Sequence, residues 1–153
     1  MTITVRGVKI AFEERGEGLP ILLIHGFPLS RQMWGPQVEA LATAGYRVIA
    51  PDLRGFGESE AGAERVSMAT YADDLVAVLD ALGIAKAVVA GMSMGGYVLL
   101  NLLERYPERF EAACFVVSRA GADDEPAKMR RSALAAEVGH GNTGIVADSF
   151  EKI

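Results

Sequence analysis

Short apolar runs alternate along the chain with longer segments in which apolar residues recur at helical spacing. Four runs are almost wholly apolar, which is typical of parallel strands buried on both faces. They read LPILLIHG, YRVIAPD, AKAVVAG and FEAACFVVS. Before them, TITVRGVKIAFEERG alternates in polarity around Gly7 and predicts two short strands that form a hairpin at the sheet edge. The pattern therefore predicts about six strands.

Three helices are predicted between these strands. The first, SRQMWGPQVEALATAG, ends at Gly45, and the strongest, SMATYADDLVAVLDALG, has Thr70 as its predicted N-cap and stops at Gly83. The third, MGGYVLLNLLERYP, ends at Pro107. Strands and helices in this order predict an α/β fold, a mostly parallel twisted sheet with helices on both faces.

The sequence changes character after Ser118. Residues 119–153 are polar, then helical from about Pro126 to Val138, and then interrupted by glycines, and no further buried strand is predicted. We therefore predict two parts, a core of residues 1–118 and a helical segment of residues 119–153.

Composition narrows the function classes. The chain has 153 residues, 50% of them hydrophobic, a formal net charge of −5 and no long basic cluster, so nucleic acid is not an expected partner. The single cysteine, Cys114, excludes an intramolecular disulfide. Neither a signal peptide nor a membrane-spanning run is recognised, so we expect a cytoplasmic protein that does not bind membranes. We expect no cofactor and no metal ion.

One serine lies in a glycine-rich turn between a predicted strand and a predicted helix. The residues Gly91-Met92-Ser93-Met94-Gly95 fit the pattern G-x-S-x-G, in which a sharp turn forces the serine into strained backbone geometry and raises its hydroxyl above the sheet. The start of the helix aims unpaired N–H groups at the same space, so an oxyanion formed by attack on a carbonyl would bind the Met94 N–H. The alternative is a glycine-rich turn without chemistry.

A second turn agrees with the interpretation of Ser93 as a nucleophile. The residues HGFP, from His25 to Pro28, follow the predicted strand of residues 21–24. The loop after that strand supplies the second oxyanion N–H in this architecture, here that of Phe27. The alternative is a simple tight turn.

Three segments, HGFPLSRQMW, DLRGFGES and GMSMGGY, resemble the alpha/beta-hydrolase superfamily in their sequence and order, and look most like its small esterase and enol-lactonase members. The resemblance covers about residues 21–118. It implies Ser93 as the nucleophile, the backbone amides of Phe27 and Met94 as the oxyanion hole, and a structural turn without catalytic role at residues 54–57. Relatives with dehalogenase activity carry a carboxylate at the nucleophile position, and Ser93 argues against that reaction.

The acid and the histidine of this family follow late strands, and both positions lie beyond Ile153. The resemblance therefore implies a truncated fold that lacks the last two strands, with residues 119–153 as part of a cap or lid. A serine hydroxyl without an adjacent base is a weak nucleophile, so we expect weak activity.

Two histidines are present in the chain. We expect the ring of His25 to hydrogen-bond the loop backbone. His140, with Asp123 or Asp124 as the acid, follows Ser93 in the family's order of serine, acid and histidine, and is the possible base. A solvated loop histidine and an acidic helix start are the alternative interpretation.

Three functions stay open. The first is a serine hydrolase that acts on small carboxylic esters or lactones through an acyl-enzyme. The second is a non-catalytic truncated, engineered or ancestral-type half-domain that folds and self-associates, and the third is a cofactor-free perhydrolase or haloperoxidase-like activity at the same serine. The apolar strand from Phe110 to Ser118 ends the predicted sheet, so we also expect a homodimer that pairs two such edges.

Overall fold

One mixed sheet of six strands forms the centre of residues 1–120. The computed structural model describes residues 1–150. The strands are β1 (Thr2–Val5), β2 (Val8–Arg15), β3 (Pro20–Ile24), β4 (Arg47–Pro51), β5 (Ala87–Met92) and β6 (Phe110–Val116). Their order in the sheet is β1-β2-β4-β3-β5-β6. The two pairs that involve β2 are antiparallel and the other three pairs are parallel, which confirms the predicted sheet and its edge hairpin.

Helices cover both faces of this sheet. They are α1 (Gly35–Thr43), α2 (Met68–Ala81) and α3 (Met94–Arg105), and two further helices, α4 (Glu125–Gly139) and α5 (Gly144–Phe150), follow later in the described residues. On one face, Val38 of α1 belongs to the same apolar cluster as Leu23. On the other face, Leu75 of α2 and Leu99 of α3 cluster with Leu22. Neighbouring residues of β3 thus point to opposite faces, and both faces are buried, which explains the continuous apolar run of this strand.

Two helix starts differ from the prediction. A 3-10 turn over Arg31–Trp34 precedes α1, which begins only at Gly35. The N-cap of α2 is Ser67 and not Thr70. The Ser67 hydroxyl accepts a hydrogen bond from the Thr70 N–H, and the Thr70 hydroxyl accepts one from the Ser67 N–H. Thr70 therefore takes part in capping the helix, but as the third helical residue of a capping box and not as the N-cap itself.

The chain divides into two compact units, Met1–Ala120 and Gly121–Ile153. Helix α4 of the second unit confirms the helix predicted from about Pro126 to Val138. The seven-residue helix α5 is an addition, because a segment this short and interrupted by glycine shows no clear periodicity. Residues 151–153 of the predicted helical segment lie outside the described residues, and its assignment as a partial cap stays a prediction. None of the described helices is both long and apolar enough to cross a membrane.

Strand β6 forms one edge of the sheet. It pairs in parallel with β5, and within residues 1–150 no strand lies on its other side. Ala87 pairs with Phe110 but Val88 pairs with Ala112, so Glu111 is the extra residue of a bulge. The part of β6 after the bulge carries no charged residue.

The end of β6 departs from the prediction. The strand stops at Val116, two residues before Ser118, and Val117 has a left-handed φ of 46°. The strand's apolar side chains remain accessible, since Phe115 is 43% exposed. Cys114 is exposed as well, with a free thiol.

Candidate active site

A single residue connects β5 to α3. Ser93 has φ 50° and ψ −109°, a conformation that costs a residue with a side chain about 1–3 kcal/mol. Three hydrogen bonds hold it: its N–H donates to Val116 O at 3.0 Å, and its C=O accepts from the Gly96 N–H at 2.9 Å and from the Ser118 hydroxyl at 3.1 Å. The Ser93 side chain is half-buried. In the part of the chain that the structure describes, its hydroxyl has no hydrogen-bond partner.

Glycines make this turn possible. A Cβ on Gly91 would lie 2.4 Å from Gly95 O, and a Cβ on Gly95 would lie 2.4 Å from Ile24 O. A Cβ on Gly96 would lie 2.1 Å from the Ser118 hydroxyl oxygen. Real Cβ atoms essentially never make contacts this short, so a side chain at Gly91 or Gly95 would displace nearby backbone, and one at Gly96 would displace the Ser118 side chain that bonds to Ser93.

The loop after β3 lies directly against the serine. A Cβ on Gly26 would be 3.4 Å from Ser93 Cβ and 3.2 Å from Met92 O. Among the described residues, no acceptor binds the N–H of Phe27 or the N–H of Met94, the first residue of α3. Free N–H groups at the start of a helix and in an adjoining loop favour negative charge beside the hydroxyl. The structure thus brings Ser93, Met94 and the loop that carries Phe27 together.

His25 is fully buried and belongs to the loop itself. Its Nδ1 lies 3.0 Å from Gly26 O, and its Nε2 accepts a hydrogen bond from the Leu53 N–H at 2.9 Å. Burial lowers the pKa of His25, against smaller opposing effects of the Gly26 hydrogen bond and the Asp52 charge. A neutral ring with Nδ1 protonated satisfies both bonds. Both ring nitrogens are therefore occupied, and His25 is not available to take a proton from Ser93.

A buried carboxylate that the sequence analysis did not single out organises the neighbouring loops. Asp52 follows β4 and is fully buried. One of its oxygens accepts from the Arg31 N–H at 2.7 Å and the other from the Glu58 N–H at 2.9 Å, and the Arg31 guanidinium forms an ion pair with it. A Cβ on Gly57 would lie 2.2 Å from that second oxygen. The signal in the sequence is an acid at the end of a buried strand, but one of its partners, Arg31, lies 21 residues away in another loop.

The other three candidate residues lie in the second unit. The Asp124 carboxylate caps α4 by accepting from the Ala127 N–H at 2.8 Å, and Asp123 accepts from Arg131 Nε at 2.5 Å. His140 is the C-cap residue of α4 and is exposed. The carboxylates and His140 flank opposite ends of a 15-residue helix, which is about 22 Å long at 1.5 Å per residue. The structure therefore does not bring the candidate acid and the candidate base together.

The described residues contain no group of three or more histidine, cysteine, aspartate or glutamate side chains that could hold a metal ion.

Comparison with known proteins gives one family. The family described as "alpha/beta hydrolase fold" matches residues 20–140. The chain is 43% identical over 108 residues to bifunctional epoxide hydrolase 2 of Sus scrofa, and this match covers 69% of the chain and 20% of the pig protein. It is 41% identical over 107 residues to a putative non-heme chloroperoxidase of Synechocystis, and this match covers 69% of the chain and 39% of the relative.

A solved structure extends this likeness to nearly the whole chain. A thermophilic esterase from Thermogutta terrifontis superposes with a TM-score of 0.88 at 41% identity, over 97% of this chain and 55% of the esterase. The chain thus spans about half the length of that structure and a smaller share of the two curated relatives. The matched family and the shared sheet agree with the turn around Ser93, and the chain belongs to the alpha/beta hydrolase family.

Proposed function

We propose that the chain carries the nucleophile and the oxyanion hole of a serine hydrolase that acts on small carboxylic esters or lactones. The observation that carries the proposal is the positive φ of Ser93 between β5 and α3. The hydroxyl of this residue makes no hydrogen bond to any of the described residues. Such a conformation persists only where the surrounding structure enforces it, and here two backbone segments and three glycines do so. In this proposal, the strained turn presents the hydroxyl to the N–H groups of Phe27 and Met94.

The proposed reaction follows from that placement. Ser93 Oγ attacks the carbonyl carbon of the ester, and the carbonyl oxygen becomes an oxyanion that accepts hydrogen bonds from the Phe27 and Met94 N–H groups. The tetrahedral intermediate collapses, the alkoxide leaves as an alcohol by taking a proton from water, and an acyl-Ser93 ester remains. Water then attacks the acyl carbonyl, which releases the carboxylic acid and restores the serine.

The chemistry of a serine distinguishes esters from epoxides, the substrates named for the pig relative. Attack of Ser93 on an epoxide carbon would produce an ether, which has no carbonyl for water to attack, so the protein would be consumed after one event. Attack on an ester produces another ester, which water can hydrolyse. The residue at position 93 therefore supports the ester reaction, in agreement with the Thermogutta esterase.

The proposed activity of this 153-residue chain is weak. His25 is occupied by backbone groups, and His140 is exposed at the end of α4, so we propose that water takes the proton of Ser93. Enzymes of this type that lack their triad retain about 10³–10⁴-fold catalysis over water through the oxyanion hole and substrate binding. Both steps lack a base, but a nitrophenolate leaves more readily than the serine alkoxide, so hydrolysis of the acyl-enzyme is slower than acylation by a nitrophenyl ester and the acyl-enzyme accumulates.

A second candidate activity is supported by the chloroperoxidase relative. Hydrogen peroxide in place of water would attack the same acyl-Ser93 and release a peracid, and the serine is restored as before. The test therefore includes hydrolysis with and without peroxide, with the peracid measured directly.

The test is the reaction of the chain with p-nitrophenyl acetate, followed by release of nitrophenol and by mass spectrometry of the protein. We expect slow release and one acetyl group on Ser93, and we expect Ser93→Ala to abolish both. Ser132→Ala is the matched control, because Ser132 is an exposed serine on α4. An unmodified Ser93, or hydrolysis that persists in Ser93→Ala, would contradict the proposal, and the first result would favour a non-catalytic domain.

A further inference from the structure

The loop after β3 carries a run of exposed apolar side chains. Phe27 is 41% exposed and Leu29 is 39% exposed, and Pro28 between them is exposed too. The Phe27 ring also contacts Phe56 edge to face, with 6.1 Å between the ring centroids. Single exposed apolar residues are ordinary, but a contiguous group beside a candidate active site is typical of a ligand-binding surface.

A groove begins at this run. Its volume is about 550 Å³, within the range of sites for small molecules. Its lining consists of Pro28, Leu29, Ser30, Gln32, Met33 and Gly57. None of these side chains can ionise. A charged ligand would therefore lose its hydration there without gaining an opposite charge, whereas a neutral one would not.

The groove is connected to the serine through Gly26. The Leu29 N–H donates to Gly26 O at 2.9 Å, so the chain folds back at Leu29 onto the residue that adjoins Ser93. A substrate whose carbonyl lies at Ser93 therefore has Leu29 within reach of its substituent. Met33 lies further along the same wall of the groove, where its N–H donates to Ser30 O at 3.2 Å.

Hydrogen bonds to the buried Asp52 carboxylate connect the two walls of the groove. The Asp52 carboxylate accepts from the Arg31 N–H in one wall and from the Glu58 N–H next to Gly57 in the other. Because Asp52 is fully buried, these bonds are shielded from water, and the two walls keep a fixed separation. The shape of the groove is thus set by hydrogen bonds within the fold.

We propose that this groove binds an uncharged apolar substituent of the ester, and that Leu29 and Met33 determine how long that substituent is. This inference rests on the proposed ester chemistry at Ser93 and adds the substrate class: neutral esters with an acyl or alkoxy group of several carbons. Asp52 is a positioning residue, because it acts through the walls and contacts no substrate.

Binding without turnover tests the inference. Amide chemical shifts of ¹⁵N-labelled Ser93→Ala are followed during titration with methyl acetate, methyl butyrate, its isomer propyl acetate, and sodium butyrate. We expect shifts at Leu29, Met33 and Gly57, and about tenfold tighter binding of at least one longer ester than of methyl acetate, since two more methylene groups are buried. Sodium butyrate should bind more weakly than either longer ester.

A matched pair of variants localises the effect. Leu29→Ala, made in the Ser93→Ala background, should reduce the tenfold preference to about threefold. Leu19→Ala is the control, because Leu19 is 47% exposed but precedes β3, at the end of the strand opposite to the loop. The preference should not change in that variant.

The results also separate this inference from the proposed function. Groove shifts and a chain-length preference in Ser93→Ala, with no hydrolysis by the unaltered chain, would retain the groove and reject the serine chemistry. Hydrolysis that depends on Ser93 without groove shifts would reject the groove alone. Equal binding of all three esters, equal binding of sodium butyrate, or an equal effect of Leu19→Ala would overturn the inference.

Discussion

The loop beside the serine turn is held by one side chain, that of His25. His25 connects the loop after β3 to the turn after β4 through its two ring nitrogens, and it is buried and neutral. The sequence pattern could identify Ser93 and its glycines, because the turn requires small residues at fixed positions within a few residues of the serine. It could not identify Asp52 as the anchor of two loops, because Arg31 and Glu58 approach it only after folding.

The lowered pKa of His25 predicts a pH dependence of stability. The unfolded chain binds a proton at His25 below about pH 6.5, whereas the folded chain resists it down to its lower pKa. Protonation therefore favours the unfolded state, and the melting temperature should fall as the pH decreases from about 6.5 toward 5. Calorimetry across this range measures the effect.

Two histidine variants identify the source of that fall. His25→Gln should flatten the curve between about pH 6.5 and 5, whereas His140→Gln should keep it, because His140 is exposed. If the melting temperature of His25→Gln still falls between about pH 6.5 and 5, groups other than His25 cause the fall.

Between elements, a buried ion pair links the turn after β4 to α2. The side chains of Arg54 and Asp74 are 3% and 4% exposed and share two hydrogen bonds of 2.8 Å. These hydrogen bonds raise the pKa of Arg54. Arg6, in the turn of the edge hairpin, also contacts Asp74 at 3.2 Å. Three segments remote in sequence therefore meet at one carboxylate.

Loss of that carboxylate should be costly. Asp74→Asn leaves the buried Arg54 charge without its partner, and we expect the free energy of unfolding to fall by about 3 kcal/mol in urea denaturation. Asp80→Asn is the matched control: Asp80 also lies on α2 and pairs with Arg109, but it is 62% exposed, so we expect less than about 1 kcal/mol. Similar losses in the two variants would contradict the special role of the buried pair.

The elements themselves were largely predictable from the sequence. Parallel strands buried on both faces leave continuous apolar runs, and β3 to β6 were found on that signal. The start of α2 was misplaced because Ser67 and Thr70 are both good capping residues and only the folded turn decides between them. The meeting of Arg54 with Asp74 leaves no local pattern, since the two residues belong to separate elements.

At the scale of the whole molecule, the outer edge of β6 is an apolar edge of the sheet. After the bulge at Glu111, the strand offers unpaired backbone groups and no charge, and natural proteins usually protect such edges with charge or a covering segment. The predicted homodimer would pair two of these edges about a twofold axis, antiparallel to each other.

Self-association through β6 is tested by light scattering. We expect the 153-residue chain to have twice its monomer mass of 16.3 kDa at about 100 μM, a concentration at which weak edge pairing is populated. Ala113→Lys should give the monomer, because a charge on an edge strand opposes pairing. Ala133→Lys, the same change at an exposed position of α4, should leave the dimer intact. A monomeric unaltered chain would reject the homodimer.

The two hydrogen bonds that join the end of β6 to Ser93 have a consequence for engineering. Val116 O and the Ser118 hydroxyl hold the N–H and the C=O of Ser93, so the end of β6 and the two residues after it are mechanically connected to the backbone of this serine. A designed peptide or partner domain that extends the sheet at β6 would stiffen or tilt the serine without touching the substrate. Strand addition at this edge is therefore a designable input whose effect reaches the backbone of Ser93.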